Sequence, residues 1–163
     1  MKNVLRAILI LICAAVVAPN LPVNYFTVTG GDRLLYSCPM PNGYSFVTAY
    51  IHSLELTPVI DDYRFVGGRM WGWEEWTKSL NAGMPSVSSP YTRTIVTPEW
   101  IITRGGRRSG LIYYRVGTEE FGRNTWTLEP WEEIKIFEKY PMYRMAFETS
   151  VVPFRKALVT GFE

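Results

Sequence analysis

The chain is poor in the residues from which reactive centres are most often built. Its 163 residues include one histidine, His52, and two cysteines, Cys13 and Cys38. A single histidine leaves no second imidazole for a zinc site or for a histidine relay. There is also no G-x-S-x-G segment to present a serine on a strand-to-helix elbow. Two cysteines so placed support no disulfide framework, because Cys13 lies in an apolar N-terminal run and Cys38 is then alone in the remainder. Cys38 is followed by Pro39 and has no histidine near it in sequence, which favours a partly buried structural thiol over a nucleophile. An excess of one charge is missing too. Lys plus Arg number 17 against 15 Asp plus Glu, a net charge of +2, so nothing argues for nucleic acid as a partner. No cofactor is expected, and no repeat, heptad or low-complexity block is visible.

Long hydrophobic runs are absent except at the start, "MKNVLRAILILICAAVVAPNLPVNYF". Lys2 and Arg6 precede an apolar run from Ala7 to Ala18, and no acidic residue appears before Asp32. This is the pattern of an export signal. The run is short for a full span, and a cut after Ala15 would follow small residues at Cys13 and Ala15, whereas a cut after Ala18 would leave Pro19 at the new terminus. Ile12, where a small residue would be needed, argues against a lipoprotein signal at Cys13. Residues 1–24 are therefore expected to be a signal peptide or an N-terminal membrane anchor plus linker, and residues 25–163 a single extracytoplasmic domain.

What the chain has is 15% aromatic residues, 13 Gly and 11 Pro, a composition of short strands and many turns. After Tyr44, the residues Phe46, Thr48, Tyr50 and His52 alternate with Val47, Ala49, Ile51 and Ser53. A second run sets Val59, Asp61, Tyr63 and Phe65 against Ile60, Asp62, Arg64 and Val66, and Gly67-Gly68 turns into "RMWGWEEW". Residues 33–37 before "PMPNG", "TWTL" and "EIKIF" offer further strands, while the last two dozen residues are ambiguous between strand and short helix. The expected fold is all-β: an antiparallel sandwich or flattened barrel of about seven to nine short strands. Trp71 and Trp73 share one face of their strand and read as core. Arg104, Arg107 and Arg108 read as a solvated hairpin tip, and Glu132, Glu133 and Glu138 as a solvent face.

The polarity concentrates in "YIHSLELTPVIDDYRF", residues 50–65. Ser53 beside His52 suggests a hydrolase, yet neighbours in a strand point to opposite faces, so His52 cannot take the Ser53 proton unless a bulge intervenes. His52 with Asp61 or Asp62 across the hairpin is the remaining catalytic pairing. Glu55, Asp61 and Asp62 are the oxygen ligands on offer to calcium, without EF-hand spacing. The simpler account has Glu55 and Thr57 bonding to backbone in the loop, Pro58 opening an edge position, and His52 satisfied at a strand end. If the first two strands meet at "LELTP", that loop and residues 78–85 lie at one end of a sheet, where they form a composite ligand or partner site.

"AYIHSLELTPVIDDYRF", followed by "SLNAGMPS" and "WIITRGG", resembles the DUF1850 family, small exported domains of unknown function found beside TAXI-type TRAP transporters. The family pattern is carried here by His52, Ser53, Leu54 and Glu55, by Thr57, Pro58 and Val59, by Asp61, and by a loop of Asn81, Ala82, Gly83, Met84 and Pro85. Asn81 stands where a glycine is usual, and Asp61 or Asp62 where a glutamate is commoner. The resemblance covers roughly residues 34–128. It implies association with solute import: a non-enzymatic accessory protein that meets the transporter membrane subunit or its TAXI solute-binding protein. The site residues so implied are His52, Ser53, Glu55, Thr57, Pro58, Asp61, Asp62, Ser79, Asn81, Gly83, Met84 and Pro85.

Overall fold

The alternation after Tyr44 forms a three-strand meander. In the computed structural model, which describes residues 2–79, 91–106, 108–128, 133–158 and 161–162, β3 (Ser45–Ile51) pairs antiparallel with β4 (Pro58–Val66), and β4 with β5 (Arg69–Thr77). Both turn glycines between β4 and β5 have positive φ, 59° at Gly67 and 71° at Gly68, as a tight hairpin of this twist demands. Ahead of the meander come β1 (Pro22–Gly30) and β2 (Arg33–Met40). Beyond it lie β6 (Arg93–Val96), β7 (Ile101–Arg104), β8 (Arg108–Ser109) and β9 (Leu111–Arg115). The chain closes with β10 (Thr125–Leu128), β11 (Ile134–Lys135), β12 (Arg144–Pro153) and β13 (Gly161–Phe162).

These strands form two antiparallel sheets that do not close into a barrel. One has the order β13-β2-β1-β12-β9, the other β11-β10-β3-β4-β5-β7-β6 with β8 attached to β5. Their facing sides share one aromatic core. Phe26 of β1 lies 4.9 Å from Phe46 of β3, and Phe147 of β12 lies 5.3 Å from Phe46 and 5.1 Å from Trp126 of β10. Tilted and edge-on contacts at these distances suit ring quadrupoles. The fold is thus the expected β-rich one with two open sheets; its thirteen strands among the described residues exceed the expected seven to nine, and three of them, β8, β11 and β13, are two-residue pieces.

Four local expectations are corrected. β2 runs on through Cys38 and Pro39 to Met40; among the described residues its outer neighbour β13 pairs with Tyr36 and Ser37 and not with Pro39, as suits a proline in a strand. Cys38 is fully rather than partly buried; its thiol is pushed up to about 11 by burial, as suits a structural role. "EIKIF" yields only β11 before turning into a helical turn, α2 (Ile136–Lys139), since consecutive Ile136 and Phe137 are both buried and a strand cannot bury neighbours on one face. Trp71 and Trp73 do share a face, but it is the outer one; Trp73 is 55% exposed. The ambiguous C-terminal stretch is the long strand β12 followed by the 3-10 turn Phe154–Lys156.

The N-terminal run is an α-helix, α1 (Lys2–Val17), followed by the 3-10 turn Ala18–Asn20. Among the described residues no helix is long and apolar enough to cross a membrane. β1 begins directly after this turn at Pro22, three residues before the expected domain start at Tyr25. Pro22 therefore marks a proximal end of the sandwich, shared with the Gly67-Gly68 turn, whose Gly68 N–H donates to Asn24 Oδ1 at 2.7 Å. The opposite, distal end carries residues 52–57, between β3 and β4, and the end of β5 at Thr77.

Candidate functional site

The distal loop 52–57 is held by its own backbone. His52 N–H donates to the Thr57 carbonyl at 2.8 Å and Leu56 N–H to the His52 carbonyl at 2.9 Å. The His52 ring completes the loop: its Nδ1 accepts the N–H groups of Leu54 and Glu55, both at 3.3 Å. Nδ1 is thereby committed as an acceptor inside the loop, which is the structural role expected of a histidine at a strand end. Winding the chain this tightly puts Leu56 at φ 52°, a left-handed conformation that a leucine rarely adopts. Leu54 and Leu56 are 79% and 73% exposed at its tip.

A second loop, residues 117–124, abuts the first, since Ile51 N–H donates to the Gly122 carbonyl at 2.6 Å. Its pivot is the buried Asn124, whose Oδ1 accepts from Gly117 N–H at 2.6 Å while its Nδ2 donates to the Tyr114 hydroxyl at 2.7 Å. Gly117 has no room for a side chain, because a Cβ there would overlap the Phe121 carbonyl. Phe121 is left exposed, and Arg123 adopts φ 45°. The α2–β12 connection joins this group through Met142, exposed at φ 64°, whose N–H donates to the Gly117 carbonyl at 3.3 Å. All three non-glycine residues with positive φ among the described residues thus lie at the distal end.

Beneath these loops the inner face of the larger sheet carries a polar row. Trp126 is paired with Thr48, Thr48 with Asp61, and Asp61 with Glu75, so their side chains share the face turned into the sandwich. The Thr48 hydroxyl donates to Asp61 Oδ2 at 3.4 Å. Burial, reinforced by the neighbouring Glu75 carboxylate, raises the Asp61 carboxyl to about 7, against the weaker pull of Thr48. Glu75 is also raised by burial. Tyr50 is pushed up to about 12 by burial and then by Asp61 and Glu75, and Tyr63 and Tyr114 are raised mainly by burial. Near neutral pH Asp61 can therefore hold a proton beside the Glu75 carboxylate.

The structure separates several residues that sequence reasoning considered together. The β3–β4 register puts Asp61 opposite Thr48 and Asp62 opposite Val47, well down the hairpin from His52, so His52 is not oriented by either aspartate. Asp61 faces inward and Asp62 outward, where it accepts from Ser45 Oγ at 2.6 Å and pairs with Arg64 at 2.8 Å. Glu55 stays in the loop. The three carboxylates considered for calcium therefore have no common centre, and among the described residues no group of three metal-ligating side chains occurs. Ser53 is exposed in the loop turn, Thr57 supplies the closing carbonyl, and Pro58 opens β4. Ser79 lies just beyond β5 at the distal end, its N–H and carbonyl bonded to the Thr77 hydroxyl. Asn81, Gly83, Met84 and Pro85, like Arg107 and Glu132, lie outside the described residues.

Glu75, Phe121 and Met142 are the residues that sequence reasoning missed. Glu75 was hidden by a β-bulge: Asp62 pairs with Glu74 but Tyr63 with Gly72, so Trp73 is an extra residue that reverses the alternation. The doubled Trp-Gly-Trp step was the available signal, since glycine within a strand often marks a bulge. Phe121 and Met142 come from distant segments, and only the fold brings them beside residues 52–57.

No curated protein and no solved structure matches the chain. A family model does: the domain of unknown function DUF1850 matches residues 46–133, which takes in β3, β4, β5, the distal loops 52–57 and 117–124, and the Asp61–Glu75 pair. That match spans more than half of the chain, which belongs to the DUF1850 family.

Proposed function

We propose that this chain is a non-enzymatic, exported accessory protein of a TAXI-type TRAP solute-uptake system, and that its distal loops contact the transporter membrane subunit or its solute-binding protein. The observation that carries this reading is the meeting of fixed backbone and exposed apolar side chains at one end of the sandwich. Leu54, Leu56, Phe121 and Met142 are each more than half exposed. Left-handed backbone at a non-glycine residue costs about 1–2 kcal/mol, and Leu56 and Met142 both sustain it. Large apolar side chains kept on strained, well-bonded loops suit a preformed contact surface, whose ordering is complete before the partner arrives. His52 and Thr57 belong to this site as the frame of the loop, and Glu55 as part of its polar rim.

The test is co-purification of the tagged full chain with the transporter subunits, using Leu54→Asp combined with Phe121→Asp as the variant. Recovery of the transporter should fall at least tenfold, with the melting temperature unchanged because both side chains are exposed. A transporter that isolates and transports identically without this chain overturns the proposal.

A further inference from the structure

The proximal end of the sandwich has a composition unlike the distal one. Leu21, Val66, Val151, Phe154 and Leu158 are all exposed there, close to where α1 joins β1. The 3-10 turn Phe154–Lys156 is tied to that junction, since Phe154 N–H donates to the Leu21 carbonyl at 2.9 Å. Arg155 and Lys156 extend from the same turn and carry no ion pair among the described residues. A groove of about 550 Å³ opens beside them, lined by Pro22, Val23, Pro39, Met40, Val151 and Phe154 among others. Among the described residues, Glu133, before β11, is the one acid in the connections at this end, whereas Asp32, Glu55, Glu99, Glu119 and Glu120 lie in turns at the distal end.

We infer that the proximal end seats on an anionic phospholipid surface, with Leu21, Phe154 and Leu158 at the level of the acyl boundary and Arg155 and Lys156 against lipid phosphates. Two independent features select this occupant. The first is charge: basic side chains with no ion pair among the described residues, flanking exposed apolar ones, match the interface of an anionic bilayer rather than an apolar protein groove. The second is continuity with α1, whose Ile8, Leu9, Ile10, Leu11 and Ile12 are all exposed, so the helix is apolar around its circumference. At 16 residues α1 is about 24 Å long, short of a hydrocarbon core of about 30 Å. Only the turn Ala18–Asn20 and Leu21 separate it from β1. A helix that short, entering the bilayer without a spacer, draws the proximal end onto the headgroups.

This extends the expectation of an N-terminal membrane tether and can fail while that tether holds. The test uses the full chain reconstituted in vesicles of phosphatidylcholine, alone or mixed with phosphatidylglycerol. An environment-sensitive dye is placed at Leu158→Cys in a Cys13→Ser background, Cys38 being buried and unlabelled, and lipids brominated near the headgroup serve as quencher. The dye should be quenched in the mixed vesicles. Reversing both charges, Arg155→Glu with Lys156→Glu, should shift the seated fraction by at least the roughly fivefold expected for each charge. A dye at Leu54→Cys should stay unquenched. Vesicles that carry the chain while the Leu158 dye remains in water overturn the seat but leave the tether, and equal quenching at Leu54 overturns the orientation. No transporter is present, so the result is independent of the transporter reading.

Discussion

Asp61 and Glu75 face each other across β4 and β5 with both side chains turned into the sandwich, and neither has a basic partner among the described residues. The consequence is a definite pH dependence of stability. The Asp61 carboxyl is raised to about 7 in the folded chain against an ordinary 3.8. Between those values the folded state keeps a proton that the unfolded state releases, so stability falls as pH rises from about 4 to about 7 and then levels. Glu75 is shifted in the same direction and adds to the slope. Urea unfolding at pH 5 and pH 8 should show a loss on the order of 2 kcal/mol at the higher pH, and Asp61→Asn should remove most of it. A wild-type chain more stable at pH 8 than at pH 5 contradicts the burial of this pair. Half of this was readable in the residues themselves: alternation placed Asp61 on one face with Val59 and Phe65. The other half was not read, because the register of Glu75 depends on one extra residue in β5, which alternation does not count and only the glycine of Trp-Gly-Trp hinted at.

The loop between β3 and β4 shows what an element can keep against its own stability. Leu56 holds φ 52° where glycine would be unstrained, and its side chain is exposed. Leu56→Gly should therefore leave thermal stability equal or raise it by about 1 kcal/mol, while weakening the partner contact. Calorimetry of the variant checks the first part, and a fall in melting temperature would show that the Leu56 side chain serves the fold instead. The β3–β4–β5 meander was legible from two alternating runs and a Gly-Gly turn, since both signals are local. The 117–124 loop was not, because its form rests on Asn124 reaching both Gly117 and Tyr114. "EIKIF" misled for a related reason: its apolar residues are packed by α2 against the core rather than alternating across a sheet. Trp71 and Trp73 misled in the opposite sense, as outer-face aromatics that composition alone assigns to a core.

At the scale of the molecule, different work is proposed for the two ends. β1 crosses nine residues from Pro22 to Gly30, so the distal loops stand about 30 Å from the α1 junction. With the proximal end on lipid, as inferred above, Leu54, Leu56, Phe121 and Met142 would face away from the bilayer, open to the proposed partner. The aromatic core between the sheets, centred on Phe26, Phe46, Trp126 and Phe147, holds the two ends at a fixed separation. Such an arrangement was only partly visible beforehand: the basic, apolar start of the chain and the polar hairpin were both evident, but their placement at opposite ends depends on strand order. Site-specific photocrosslinking in cells that produce the TAXI-type TRAP subunits tests the account most directly, with the photoreactive residue placed in turn at Leu54, Phe121 and Val66. Adducts with a transporter component should form from Leu54 and Phe121 and not from the proximal Val66. Adducts absent from both distal positions, or equally abundant from all three, contradict it.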